Sequence, residues 1–154
     1  MNKWLKLIIV VLICQLAGVF GSIFTFPSIG TWYAELEKPF FTPPSWVFGP
    51  VWITLFTLMG ISLYLVWDKR DKFSISIFGV QLALNALWSF LFFGFQNPFY
   101  GLVEIIILWF AILITIVKFY KIDKRAGLIL LPYILWVTVA TALNYYVWVL
   151  NPVF

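Results

Sequence analysis

The sequence contains no histidine, and Cys14 is its single cysteine. A disulfide within the chain needs two cysteines, and a His/Cys metal site needs several of these residues. Both are therefore excluded, and haem would lack its usual histidine ligand. We expect no metal site and no required cofactor. Any planar ligand would be held by packing and a few hydrogen bonds.

Charged residues are also scarce. They make up 10% of the 154 residues, whereas 64% are hydrophobic and the mean hydropathy is +1.02. A soluble domain has about 25% charged residues, and this chain has too little polar surface to cover one. The composition excludes an ordinary cytosolic domain, a disordered chain and a secreted disulfide scaffold. It predicts an integral membrane protein with a single domain over residues 1–154.

The stretches between the charges are long enough for five membrane spans. A spanning helix needs roughly 20 apolar residues, and long unbroken apolar runs favour helices over the alternating strands of a barrel. We predict an all-α bundle of five transmembrane helices, with spans near residues 5–26, 46–67, 74–95, 99–119 and 127–149.

One long connection, residues 27–45, is rich in proline and aromatic residues. Proline restricts the backbone, and a long loop in a compact protein is usually functional or disordered. We expect the aromatic side chains of this loop to pack onto the bundle as a lid. The alternative is an interfacial loop whose aromatic residues lie among the lipid headgroups.

The basic residues are distributed unequally between the two sides that five spans would create. Lys38 lies on one side, and the other nine lie on the opposite side: Lys3, Lys6, Lys69, Arg70, Lys72, Lys118, Lys121, Lys124 and Arg125. By the positive-inside rule, the N-terminus is cytoplasmic and the C-terminus is outside. These residues are scattered over short loops and form no stripe, so nucleic-acid binding is not expected.

Three spans carry aromatic and polar residues at helical spacing, which places each set on one helix face. The sets are Phe48, Trp52 and Phe56 in the second span, Gln81, Asn85, Trp88 and Phe92 in the third, and Tyr133, Trp136, Ala140 and Asn144 in the fifth. Amides in hydrocarbon need hydrogen-bond partners, so both asparagines should face the interior. We expect Asn144 to bond a neighbouring helix. Asn85 is equally compatible with such a bond and with a ligand contact.

Glu104 is the one ionisable residue well inside a predicted span. A buried charge there would be costly and would mark a functional site. Glu104 lies only about one to two helical turns from the predicted hairpin at Pro98. We therefore expect it to reach the outer interface. The sequence also contains no set of nucleophile, base and orienting residue that would predict a hydrolase.

Three segments resemble motifs of the translocator protein (TspO/MBR) family of tryptophan-rich sensory proteins, which includes the mitochondrial peripheral-type benzodiazepine receptor. They are WYAELEKPFFTPPSWVFGPVW (32–52), QLALNALWSFLFF (81–93) and LLPYILWVTVATALNYYVW (130–148). The three motifs occur in order across the five spans, so the resemblance extends over essentially the whole chain.

The resemblance implies a five-helix bundle, often a homodimer, that binds porphyrins and other planar hydrophobic ligands beneath the first loop. It implies a sensing or transport role in stress response, or alternatively light- and oxygen-dependent degradation of bound protoporphyrin. In that alternative, the candidate catalytic residues are Trp32 and Trp136. The implied pocket residues are Trp32, Tyr33, Pro43, Trp52, Asn85, Phe92, Trp136, Ala140 and Leu143, and the helix faces add Phe48 and Trp88.

One departure concerns sterols. Animal members of the family end the fifth helix with a cholesterol-recognition pattern that requires a basic residue after a tyrosine. Tyr145 and Tyr146 are present here, but no basic residue follows them. The pattern is weak even when complete. Together with the small size and the predicted cytoplasmic N-terminus, its absence indicates a bacterial plasma-membrane member for which sterol binding is not expected.

Overall fold

The computed structural model describes residues 1–69 and 71–152. This part of the chain forms seven α-helices and one π-helix. In chain order they are α1 (Lys3–Ile29), α2 (Trp32–Glu35), α3 (Ser45–Trp67), α4 (Lys72–Ser89), the π-helix Phe90–Gly94, α5 (Pro98–Ile122), α6 (Lys124–Ile129) and α7 (Leu131–Leu150).

Within the described residues, five helical stretches are long and apolar enough to cross a membrane. They are Lys3–Ile29, Ser45–Trp67, Lys72–Gly94, Pro98–Ile122 and Lys124–Leu150. Each end lies within three residues of its predicted position. The prediction of an all-α bundle of five spanning helices is therefore confirmed.

The ends and breaks of two spans differ from the prediction. The first helix continues through Pro27 to Ile29, because a proline in the last turn removes only a bond near the helix end. The fifth span is broken at Leu130, between α6 and α7. Pro132 lies in the first turn of α7, where proline fits without loss of a helical hydrogen bond.

The hairpin before α5 is made by two polar residues. Gln96 has a left-handed backbone with φ of 52°, which lets the chain reverse. Asn97 then caps α5, because its side-chain oxygen accepts hydrogen bonds from the N–H groups of Phe99 (3.0 Å) and Tyr100 (3.1 Å).

The basic segments meet at one end of the bundle. The buried Lys6 forms an ion pair with Asp68, which joins the start of α1 to the end of α3. Lys118 near the end of α5 lies 5.0 Å from the ring centroid of Phe73 at the start of α4. Of the nine basic residues predicted to share this side, Arg70 lies outside the described residues.

The core between the helices is tightly packed. Phe78 of α4 and Phe119 of α5 are fully buried and stack with ring centroids 5.6 Å apart. At Gly60 of α3, a Cβ would lie 2.6 Å from the Cα of Val11, so only glycine permits this approach of α3 to α1. Close approach at small residues is how helices associate in membranes, where lipid is as apolar as the helix surface.

Candidate ligand-binding cavity

A cavity of about 510 Å³ lies between α1, α3, α4, the π-helix and α7. This volume is in the range of small-molecule sites, and the wall is predominantly apolar with a few polar groups. We call residues 30–44, which connect α1 to α3, the lid. Tyr33 of the lid contributes to the wall.

Nine of the eleven predicted ligand-binding residues line this cavity. They are Tyr33, Phe48, Trp52, Asn85, Trp88, Phe92, Trp136, Ala140 and Leu143. They come from four parts of the chain that are distant in sequence, so the faces predicted from helical spacing do converge on one space.

The structure does not bring Trp32 and Pro43 to the cavity wall. Trp32 and Tyr33 are neighbours in the short helix α2, and consecutive helical residues point about 100° apart. Tyr33 therefore lines the cavity, whereas Trp32 packs edge-on against Phe92 with ring centroids 5.6 Å apart. Pro43 is half-buried in the segment that leads into α3.

The π-helix places two phenylalanines in the wall. Its wider turn is closed by hydrogen bonds from Phe95 N–H to the Phe90 carbonyl (3.0 Å) and from Asn97 N–H to the Phe92 carbonyl (3.2 Å). Phe92 and Phe93 are both buried, and Phe92 stacks on Trp88 at 4.9 Å. Single π-helical turns are frequent at functional sites. No local pattern in the sequence indicated this turn, and Phe93 was not among the predicted residues.

Asn85 is both a helix partner and a wall residue. Its Nδ2 donates to the Tyr133 hydroxyl at 2.7 Å, and that hydroxyl donates to Gln81 Oε1 at 2.8 Å. The side-chain oxygen of Asn85 accepts no hydrogen bond within residues 1–69 and 71–152. The network therefore fixes the amide so that its carbonyl oxygen is available to a donor group in the cavity.

Asn144 has the structural role predicted for it. Its Oδ1 accepts from the indole N–H of Trp88 at 3.0 Å, and its Nδ2 donates to the Pro98 carbonyl at 2.7 Å. Trp88 therefore presents its ring to the cavity, while its N–H is already used.

Trp136 differs from Trp88 in this respect. Its Nε1 is buried and has no acceptor among the described residues. Phe48 packs edge-on against its ring at 5.8 Å. An unmet buried donor is costly in a folded protein, and the described residues provide no acceptor for this indole N–H.

Only some of the aromatic residues in the lid pack against the bundle. Tyr33 packs against Phe93 with centroids 5.6 Å apart, and Leu36 is buried beside both. Phe40 is fully exposed, so the expected packing of the aromatic residues does not extend to it. Burial raises the pKa of the Tyr33 phenol and lowers that of Lys38, whose Nζ lies 4.5 Å from the Tyr33 ring centroid.

Helix α1 forms a large part of the wall, and its residues were not among those predicted to bind a ligand. A Cβ at Gly18 would lie 2.7 Å from the Phe56 ring, and one at Gly21 would lie 3.0 Å from the Ser89 hydroxyl. Both glycines line the cavity, and their spacing of three residues was a usable signal for a helix contact. The exposed Phe26 and Trp46 also line it, so the cavity reaches the surface between α1 and α3.

Comparison with known proteins identifies the family. Residues 10–149 match the model of the TspO/MBR family. The chain belongs to the TspO/MBR family. It is 50% identical over 150 residues to Tryptophan-rich protein TspO of Archaeoglobus fulgidus, covering 96% of this chain and 97% of the relative.

Two further relatives of the TspO/MBR family carry other names. Translocator protein of Homo sapiens is 40% identical over 123 residues, which cover 76% of this chain and 73% of the relative. Tryptophan-rich sensory protein of Cereibacter sphaeroides is 34% identical over 115 residues, which cover 74% of this chain and 73% of the relative. Together with the five spans, the family makes this chain a multi-pass membrane protein.

The prediction that Glu104 reaches the outer interface is wrong for this TspO/MBR chain. Its side chain is buried, with 4% relative exposure, and neither carboxyl oxygen has a hydrogen-bond partner among the described residues. The reason is its helix face: Gly101 and Leu108, three residues before and four after, are also buried, whereas Val103 is exposed. The inward face of α5 therefore begins close to its first turn.

Proposed function

We propose that this protein binds porphyrins and other planar hydrophobic ligands in the cavity, with a sensing or transport role in stress response. The observation that carries the proposal is the cavity itself, with its wall of tryptophan and phenylalanine rings and its few polar groups. A flat apolar ligand would gain roughly 25 cal/mol for each Å² of apolar surface removed from water. The sensing role is suggested by the relative named Tryptophan-rich sensory protein.

The alternative is an enzyme that degrades bound protoporphyrin with light and oxygen. It is favoured by one observation: Trp136, one of the two tryptophans predicted to be catalytic, lies in the wall and would contact a bound ring system. The other, Trp32, is separated from the cavity by Phe92. In this mechanism the porphyrin absorbs the light and oxygen is the oxidant, so no further cofactor is required.

A titration with protoporphyrin, followed by quenching of tryptophan fluorescence in the dark, tests the proposal. Ala140 lines the cavity, so Ala140→Phe should fill it and weaken binding at least about tenfold. Val139→Phe adds the same ring at the adjacent exposed position and should bind normally. Equal affinities for these two variants, or no binding by the wild-type protein, would contradict it.

The same samples separate binding from degradation. Under illumination with oxygen, loss of the porphyrin absorption beyond that of a protein-free control would identify the enzyme. Absorption that matches the control, with binding intact in the dark, would leave the binding function.

We also propose that the protein lies in a bacterial plasma membrane with its N-terminus cytoplasmic. The clustering of the basic segments at one end of the bundle supports this orientation. In a Cys14→Ser background, a cysteine at Lys72 and one at Gly30, which has open space around it, should label from opposite sides of intact cells. Labelling of both from outside would overturn the topology.

The homodimer and the absence of sterol binding are further proposals, both resting on the family resemblance. Size measurement of the protein in nanodiscs would test the first. A cholesterol titration would test the second, and a saturable response abolished by changing Tyr145 would contradict it.

A further inference from the structure

The middle of the lid is joined to the end of α7 by a pair of reciprocal hydrogen bonds. The Glu37 N–H donates to Asn151 Oδ1 at 3.1 Å, and Asn151 Nδ2 donates to the Glu37 carbonyl at 2.9 Å. The two residues are 114 positions apart in the sequence. Because one side-chain amide satisfies both backbone groups of Glu37, the contact fixes this point of the lid in position and orientation.

Asn151 is itself held on the helix. Its backbone N–H donates to the Val147 carbonyl at 3.2 Å, and its Nδ2 also donates to that carbonyl at 2.8 Å. The end of α7 therefore orients the Asn151 amide independently of its bonds to the lid. Since α7 also provides wall residues, the lid is tied to an element of the cavity.

The lid residue next to Glu37 packs against wall residues of the cavity. The adjacent Leu36 is buried in a cluster with Phe92, Phe93 and Val147, and the latter three line the cavity. Tyr33, one helical turn earlier, is part of the wall. Movement of Glu37 away from α7 would therefore withdraw Leu36 from this cluster and shift Tyr33.

We infer that Asn151 is a positioning residue that clasps the lid over the cavity and thereby sets the rate at which a ligand leaves. The inference rests on the proposed binding function. Asn151 does not line the cavity and acts through the lid. Its bonds to Glu37 lie at the exposed surface, where each typically shifts an equilibrium by only about two- to tenfold. These two hydrogen bonds between Asn151 and Glu37, which we call the clasp, can therefore break while the bundle stays folded.

Three variants and one matched control isolate the clasp. Asn151→Ala removes both bonds to the lid, and Asn151→Gln keeps the amide and should restore them in part. Glu37→Ala should leave both bonds intact, because Glu37 contributes only backbone atoms to them. Asn97→Ala is the control, since the Asn97 side-chain oxygen also accepts two backbone hydrogen bonds, but from Phe99 and Tyr100 of α5 and not from the lid.

Two readouts distinguish failure of the clasp from failure of the binding function. Hydrogen exchange of the backbone amides of residues 32–38, measured without ligand, should accelerate in Asn151→Ala, less in Asn151→Gln, and not in Glu37→Ala or Asn97→Ala. The release rate of protoporphyrin in the dark should rise about tenfold in Asn151→Ala, less in Asn151→Gln, and not in Glu37→Ala or Asn97→Ala.

The outcomes are separable. If the wild-type protein binds protoporphyrin and Asn151→Ala releases it no faster than Asn97→Ala, the clasp is overturned. Unchanged exchange in Asn151→Ala overturns it without any ligand. If exchange accelerates but the wild-type protein binds no protoporphyrin, the proposed function and the control of ligand release fail together, while the lid contact stands.

Discussion

Trp88 donates its indole N–H to the side-chain oxygen of Asn144 at 3.0 Å. The bond joins α4 to α7, and the amide of Asn144 extends it to the Pro98 carbonyl at the start of α5. It also fixes the plane of the indole ring, which stacks on Phe92 in the cavity wall. One buried amide therefore joins three helices and orients part of the candidate site.

Asn144→Ala should lower the free energy of unfolding by about 2 kcal/mol, because it leaves the Trp88 N–H and the Pro98 carbonyl without their partner. Thermal unfolding in detergent would measure the change. Thr141→Ala is the control, since the Thr141 hydroxyl bonds only to the Val137 carbonyl of its own helix, and its effect should be much smaller. Equal effects would show that the bond between helices contributes little.

Trp136→Ala should weaken porphyrin binding about tenfold to a hundredfold, because it removes a large aromatic part of the wall worth on the order of 1–3 kcal/mol. Trp109→Ala is the matched control. Trp109 bonds Thr138 at 2.8 Å and does not line the cavity, so its loss should leave affinity nearly unchanged. If both variants bind equally well, the ligand lies elsewhere, such as on the lipid-facing surface.

Glu104→Leu should raise the free energy of unfolding by about 1–3 kcal/mol, because it replaces a buried carboxyl that has no partner among the described residues. Glu104→Gln keeps the shape and should be at least as stable as the wild-type protein. Thermal unfolding of the wild-type protein and the two variants, measured side by side, would compare their stabilities. A marked loss of stability in both variants would mean that the carboxyl has a specific role in the folded state.

Asp123 should make stability depend on pH. Its side chain caps α6 through the Arg125 N–H and pairs with the Arg125 guanidinium, and the side-chain bond to Arg125 lowers the pKa of this carboxyl. A lowered pKa contributes stability above the ordinary aspartate value of about 3.9, and this is lost as the pH falls through the folded-state value.

The difference in melting temperature between wild-type protein and Asp123→Asn should therefore be present at pH 7 and should shrink in acid. A difference that stays constant with pH would assign the effect to the hydrogen-bond geometry of the cap and not to the charge.

The sequence determined the class of protein and the course of the chain. Long apolar stretches with few charges predict membrane spans, and in lipid these must be helices that satisfy their own backbone hydrogen bonds. The basic residues lie at the ends of the spans or between them. Helical spacing was also sufficient to group Trp52, Asn85 and Trp136 as residues on three inward faces, because aromatic and amide side chains stand out against an aliphatic background.

Only the tertiary structure decided which apolar residues face protein and which face lipid. In water the two sides of a helix differ in polarity, but in a membrane both are apolar, so periodicity does not reveal the inner side of α1 or α5. For this reason Glu104 was misplaced, whereas the glycines of α1 were missed although their spacing was a usable signal. The bonds from Trp88 to Asn144 and from Glu37 to Asn151 likewise depend on the rotation and end position of distant helices, which no local pattern specifies.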